Sequence, residues 1–263
     1  MQKMYKDVRK TRWLVPLILA AGLLIGCSDD DGSTDATTTP EPTPTAGVGL
    51  LVTSPASLDS YRYTVSVVAL LGALSTDTPE ALAGETAMVT LQGSRVNPDR
   101  EHSDSLVEIG PLAVRVETIQ IGERQWVREG TRPWDESGGG AMEVLGGIDF
   151  RPATLFAEDA SEYATLGERL ATFPSSSVML DDQATRYFKF TQQEFLDIFQ
   201  GEGDIVPPDV DAILAAEVWL SEAIGVPVRL LVIGESTDGV EVIRVELDIT
   251  DLNDPTIKIE PPI

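Results

Sequence analysis

The strongest constraint on the fold is an alternation of apolar and polar residues with a period of two. From Tyr61 to Leu71 every odd position is apolar, and from Ile243 to Ile249 the same alternation returns. Because successive side chains of a strand point to opposite faces, this pattern predicts half-buried β-strands. The same reasoning predicts further strands at 87–91, 105–109, 113–121, 124–129, 184–190, 214–220, 226–233 and 240–249.

Consecutive strands joined by short polar turns, such as the loop at 235–239, predict an antiparallel meander. Helical signals are fewer. Thr191 and Glu194 have the spacing of a capping box, and Phe195 and Phe199 follow on one stripe. A second short helix is predicted from about 152 to 160. The expected fold class is therefore α+β, mostly β, with a few short helices that cover the sheet.

The N-terminus has the organisation of an export signal. Five basic residues precede the uncharged stretch from Trp13 to Ile25, which is shorter than the roughly 20 residues of a membrane-spanning helix. The stretch ends in Leu24-Ile25-Gly26-Cys27, which resembles the lipobox of bacterial lipoproteins. That resemblance implies cleavage before Cys27 and acylation of this cysteine, with diacylglycerol and palmitate-type chains. The alternative is an uncleaved signal anchor with a chance cysteine.

Three segments follow from this organisation: a signal peptide at 1–26, a lipidated cysteine with its tether at 27–47, and a folded domain at 48–263. Residues 28–47 contain no aliphatic side chain larger than alanine, so they are expected to form a disordered spacer. The chain has a single cysteine, so no disulfide within one chain is possible. The expected location is the cell membrane, by lipid anchor, on the extracytoplasmic face.

The formal charge of −24 argues against nucleic acid and anionic headgroups as partners. Such acidity is also compatible with calcium or a basic partner, although no EF-hand loop is present. His102 is a lone histidine beside Glu101, interpreted as an incidental side chain at a strand edge or turn. The glycines at 138–140 are interpreted as a hinge rather than an anion cradle. Neither a catalytic residue, a metal ligand nor a cofactor site is predicted, and the chain is expected not to be an enzyme.

Several soft motifs, taken in order, resemble one family. They are Ser60-Tyr-Arg-Tyr63, a W-x-x-x-G-x-x-x-W hairpin at 126–134, the strand opening at 184–187, Val218-Trp219-Leu220 with the run at 225–230, and the end from 248 to 262. This order is similar to the LolA/LolB-like lipoprotein carriers, and most similar to the LppX/LprG group of lipid-binding lipoproteins. The resemblance implies a curved antiparallel half-barrel of about nine to eleven strands, whose concave face is apolar and roofed by helices.

The resemblance implies a monomeric carrier or chaperone for a lipid or acylated ligand in the cell envelope. Burial of an acyl chain, worth about 0.8 kcal/mol per methylene, would supply affinity without a catalytic group. Sheet residues predicted to face the cavity are Val65, Val67, Val89, Leu91, Val107, Val245 and Leu247. Phe195 and Phe199 are predicted to belong to its lid. The alternatives are ordinary core residues in each case, and an envelope sensor or a structural surface lipoprotein for the whole chain.

Overall fold

A computed structural model of the chain describes residues 50–70, 84–136, 152, 160–199, 212–236 and 238–262. Within these ranges the chain forms ten β-strands in one antiparallel sheet, together with two α-helices and a 3-10 turn at Pro55–Ser57. The strands are β1 (Ser60–Leu70), β2 (Thr86–Val96), β3 (Arg100–Ile109), β4 (Leu112–Ile121), β5 (Arg124–Glu129), β6 (Ser176–Leu180), β7 (Gln183–Thr191), β8 (Ala212–Ser221), β9 (Pro227–Ser236) and β10 (Glu241–Thr250). The helices are α1 (Ala160–Leu170) and α2 (Gln192–Phe199).

The strand order is β5-β4-β3-β2-β1-β10-β9-β8-β7-β6. Two meanders therefore meet in the middle of the sheet, where the first strand pairs with the last. The chain leaves the first meander at β5, one edge, and begins the second at β6, the opposite edge. The mostly-β, antiparallel fold predicted from the sequence is confirmed, and the sheet does not close into a barrel.

Of the two predicted helices, the one that follows Thr191 is present as α2. The Thr191–Glu194 capping box is confirmed: the Glu194 carboxylate accepts from the Thr191 backbone N–H at 2.8 Å, and the Thr191 hydroxyl accepts from the Glu194 N–H at 3.4 Å. Of the helix predicted at 152–160, only the two end residues are described. Helix α1, Ala160–Leu170, begins at the second of these residues; its extension beyond 160 was not predicted, although Tyr163, Leu166 and Leu170 recur at helical spacing.

Two strand assignments also change. The short edge strand β6 was not predicted, since Ser-Ser-Val-Met-Leu is too brief to establish a period of two. His102 lies inside β3 rather than at a strand edge or turn, so that part of its interpretation was wrong.

The main hydrophobic core lies between one face of the sheet and the two helices. Tyr163, Leu166 and Leu170 of α1 belong to the same buried cluster as Phe195 and Ile198 of α2. The sheet contributes β1 and the strands of the second meander; its buried members include Val65, Phe188, Phe190, Ala216, Val218, Leu230, Val232, Val245 and Leu247. The helices are thus held by apolar burial against one half of the sheet.

The start of the described chain is fixed beneath α1. The Thr53 backbone N–H donates to the Gly225 carbonyl at 3.0 Å, and the Thr53 hydroxyl donates to the Ile224 carbonyl at 2.6 Å. Gly225 has a φ of +73°, and a Cβ built there would stand 2.3 Å from the Leu51 carbonyl oxygen. Only glycine satisfies both the left-handed backbone and this close approach.

Candidate functional site

The strand register places all seven predicted sheet residues on one face. Val65 stands directly opposite Leu247 on β10 and Leu91 on β2. Val67 stands opposite Val245 and Val89 in the same way, and Val89 stands opposite Val107 on β3. Directly paired residues in an antiparallel sheet point to the same side. This side, which also faces α1 and α2, is called the inner face below.

One half of the inner face is filled by the core. Val65, Val245, Leu247 and Leu91 are all buried, and so is the predicted lid residue Phe195. These five residues belong to the main cluster, and Val67 packs against it as a partly buried neighbour. They therefore have the surroundings of core side chains, which was the alternative interpretation of each of them.

The other half of the inner face is much less covered. Val89 and Val107 are only half-buried, and the register continues from Val107 to Val114 and from Ile109 to Leu112 on β4. Val114 is 45% exposed and Leu112 is 67% exposed. We call this group the uncovered patch; its members are Ala87, Val89, Val107, Ile109, Leu112 and Val114.

Sequence reasoning included Val89 and Val107 among the site residues but missed Leu112 and Val114. Their signal was present, because Leu112, Val114 and Val116 alternate with polar or small residues along a predicted strand. The pattern did not predict which of these side chains are exposed. Val116 is only 2% exposed, whereas Val114, two residues earlier, is 45% exposed.

The same face becomes polar toward its other end. The Tyr63 hydroxyl donates to Glu101 Oε1 at 2.6 Å, and Arg95 Nη1 lies 2.7 Å from Glu101 Oε2. Glu101 is only 6% exposed, so these hydrogen bonds compensate for the burial of its carboxyl group. Arg95 also donates from Nε to Asn97 Oδ1 at 2.8 Å. This network ties the β2–β3 hairpin to β1.

The Tyr63 ring lies directly over Gly93 on the neighbouring strand. A Cβ built at Gly93 would stand 2.2 Å from Tyr63 Cζ, so the ring occupies the volume that any other residue would need. Beside Gly93 in the same register row lie Ser103 and Thr118.

The opposite, outer face carries the lone histidine. His102 Nε2 lies 2.9 Å from Glu117 Oε1, and Arg128 donates to the other oxygen of the same carboxylate. Burial of the Glu117 carboxylate raises its pKa, but the hydrogen bonds from Arg128 and His102 outweigh that effect and hold the pKa below its ordinary value. The histidine is thus a hydrogen-bond partner of Glu117 beside the ion pair between Arg128 and Glu117.

Three of the four tryptophans lie in the described residues, and their surroundings differ. Trp126 is buried with Ile119 and Ile259, as expected for packing, and Arg124 stacks over its ring at 4.5 Å. Trp134 is half-buried against the same group. Trp219 lies on the outer face, half-buried, with the Tyr187 ring 5.0 Å away.

Several predicted features fall outside the described residues. These are Cys27 with its signal peptide and tether, and the glycines at 138–140. Phe199 is the last residue of α2, but its side chain is not among those described. Across the ranges that the structure covers, His, Cys, Asp and Glu side chains form no cluster of three fit to hold a metal ion. In those same ranges neither helix has the length and apolarity to span a membrane.

Comparison with known proteins leaves the geometry as the main guide to function. No protein-family model matches this sequence, and no curated protein gives a significant match. What the chain can do therefore has to be inferred from its own residues, above all from the apolar part of the inner face, which is only partly covered.

Proposed function

We propose that this chain is a lipoprotein of the cell envelope, anchored by acylated Cys27, that binds the acyl chain of a lipid or acylated ligand on its inner face and carries it. The proposal includes membership of the LolA/LolB-like superfamily, near the LppX/LprG group, as the sequence motifs suggest. It also includes a curved, half-barrel form of the sheet, with the inner face concave. The protein acts as a monomer on the extracytoplasmic side of the membrane.

The observation that carries the proposal is the uncovered patch. It is continuous in register with the core half of the inner face, yet Val114 and Leu112 keep much of their surface exposed. Soluble proteins rarely leave contiguous apolar surface open without a use, and such patches mark ligand grooves or partner sites.

The dimensions of the patch suit part of one acyl chain. Along β4 the patch runs from Leu112 to Val114, two residues, which at about 3.4 Å per residue gives roughly 7 Å, and across β2, β3 and β4 it spans two strand spacings of about 4.8 Å each. One leaflet is half of the roughly 30 Å hydrocarbon core of a bilayer, so a membrane acyl chain extends over about 15 Å. The patch is therefore shorter than one extended acyl chain and would contact part of its length.

A binding assay tests this function with the exported chain carrying Cys27→Ser, so that no covalent lipid competes for the site. N-phenyl-1-naphthylamine, whose fluorescence rises in apolar surroundings, serves as the probe, and methyl esters of increasing chain length displace it. Each added methylene is expected to strengthen displacement by at most about fourfold until the patch is filled. Native mass spectrometry of the same protein reports any lipid that co-purifies.

A pair of matched variants locates the site. Val114→Asp places a carboxylate on the uncovered patch and should abolish probe uptake, while circular dichroism stays unchanged because the position is already 45% exposed. Val240→Asp makes the same change at a valine that is 55% exposed, just outside β10, and should bind as the parent does. Uptake that is absent from the parent, or equal in both variants, would contradict the proposal.

A further inference from the structure

The two edges of the sheet are built differently. At the β5 edge, Val127 exchanges two backbone hydrogen bonds of 2.9 Å with Asp135, and three of the six residues of β5 are charged. A covering segment and charged side chains are common means of preventing an edge strand from pairing with another chain. The β6 edge, Ser-Ser-Val-Met-Leu at 176–180, contains neither a charge nor a proline, and it pairs with β7 without a bulge.

The backbone of β6 presents hydrogen-bonding groups to this edge. Residues of an antiparallel pair point alternately toward the partner strand and away from it. The Val178 carbonyl accepts from Thr185 Oγ1 on β7 at 2.9 Å, so the backbone groups of Val178 face β7. The N–H and C=O of its neighbours Ser177 and Met179 therefore face away from β7. In agreement, the carbonyl of Ala184, which stands opposite Met179, accepts from a residue after β8 at 3.0 Å.

The edge is accessible in the ranges that the structure describes. No strand among them lies beyond β6, and the Met179 side chain is 67% exposed. Five residues are close to the usual length of a strand, and an extended peptide can add itself to such an edge through main-chain hydrogen bonds. β6 thus offers the two outward-facing residues Ser177 and Met179 to an eleventh strand.

The charges at this edge favour a basic partner. Asp181 and Asp182 form the β6–β7 turn, and both are exposed, as is Glu222 beside it. Arg229 Nη2 lies 3.8 Å from Asp181 Oδ2, but this arginine also pairs with Asp248. The formal charge of −24 repels a second copy of the chain and attracts a cationic segment.

We infer that β6 receives an extended, lysine- or arginine-bearing segment of a partner protein as an eleventh strand, hydrogen-bonded to the backbone of Ser177 and Met179. The inference goes beyond acyl binding and does not depend on it. The uncovered patch lies on β2, β3 and β4, and five strands separate β2 from β6. A partner bound at β6 therefore leaves the patch free.

Nuclear magnetic resonance of the ¹⁵N-labelled Cys27→Ser chain tests the inference, with the peptide acetyl-Lys-Val-Thr-Val-Thr-Lys-amide as the probe. Peptide added up to about 5 mM, a range that detects weak binding, should shift the backbone amide signals of Ser177 and Met179. The same peptide with glutamate in place of both lysines should bind at least about threefold more weakly, because attraction to the exposed carboxylates becomes repulsion.

Two variants at one position separate backbone pairing from side-chain contact. Met179→Pro removes an N–H that faces the edge, where proline is tolerated, so the β6–β7 pairing should persist. This variant should lose peptide binding, with Ser177 as the reporting amide. Met179→Thr removes the same side chain but keeps the N–H, so it should bind within about twofold of the parent. Both variants should take up N-phenyl-1-naphthylamine as the parent does, which verifies the fold.

Three outcomes would overturn the inference: unshifted amides at Ser177 and Met179, equal affinity for the two peptides, or equal affinity of Met179→Pro and Met179→Thr. Shifts of the same amides when the chain is concentrated without peptide would assign the edge to a second copy and would overturn it as well. Failure of the parent to take up N-phenyl-1-naphthylamine would count against the acyl-binding function alone.

Discussion

Gly93→Ala is the most informative single change on the inner face. The added Cβ would stand 2.2 Å from Tyr63 Cζ and 2.4 Å from its hydroxyl oxygen, so the ring must move. Movement of the ring also endangers the 2.6 Å hydrogen bond from Tyr63 to the buried Glu101 carboxylate. The substitution thus acts through overpacking and through loss of a charge-assisted hydrogen bond.

The expected magnitude follows from these two effects. Overpacking in a filled site costs about 1–3 kcal/mol, and a hydrogen bond to a charged group is worth about 1.5–3 kcal/mol. Replacing glycine by alanine also stabilises the fold by about 0.4–1 kcal/mol, because alanine has less conformational freedom than glycine in the unfolded chain. The free energy of unfolding should therefore fall by about 2–5 kcal/mol.

Urea denaturation followed by circular dichroism measures this change on the Cys27→Ser chain. Gly84→Ala is the control, because a Cβ at Gly84 meets nothing within 4 Å, and it should be neutral or slightly stabilising. On a Tyr63→Leu background, Gly93→Ala should lose most of its effect, since the ring that it strikes is gone. A loss below about 0.5 kcal/mol on the parent background, where surface substitutions usually fall, would refute the packing argument.

Three further predictions concern other parts of the chain. Gly225→Ala forces alanine into a φ of +73° with its Cβ 2.3 Å from the Leu51 carbonyl oxygen, so urea denaturation should show a loss of at least about 2 kcal/mol. The lowered pKa of Glu117 stabilises the fold above its ordinary pKa of 4.5, and this contribution is lost as pH falls through the lowered value. Arg128→Ala should therefore lower stability at pH 6 and flatten the loss on acidification, as thermal melts across pH 2–6 would report; an unchanged acid profile would contradict it. Cys27→Ser should move the exported protein from the membrane to the soluble fraction, and a variant that stays membrane-bound on fractionation would contradict the lipid anchor.

Strand assignments came largely from the sequence because their signal is local. The alternation from Ile243 to Ile249 depends only on neighbouring residues and on the pleat of a strand, and β10 covers it. The capping box at Thr191 was equally local, since four consecutive residues contain both hydrogen-bonding partners. Helix α1 also had local signals that were missed: Asp159 and Glu162 have the spacing of a capping box, and Tyr163, Leu166 and Leu170 recur at helical spacing.

For the candidate site, the sequence predicted which side chains share a face but did not predict which of them are covered. Period two alone could place Val65, Val89 and Val107 on an apolar side of their strands, and the register confirms that they share one face. Which of them are covered depends on α1 and α2, and no local pattern specifies where a helix from another part of the chain will lie.

The sequence by itself determined an antiparallel sheet with one apolar side, because side-chain alternation and turn residues act over a few positions. Only the tertiary structure decided that this side is filled beside β1 and the second meander yet left half open at Val114 and Leu112. Coverage and register depend on contacts between segments distant along the chain, and those contacts exist only once the whole sheet has assembled.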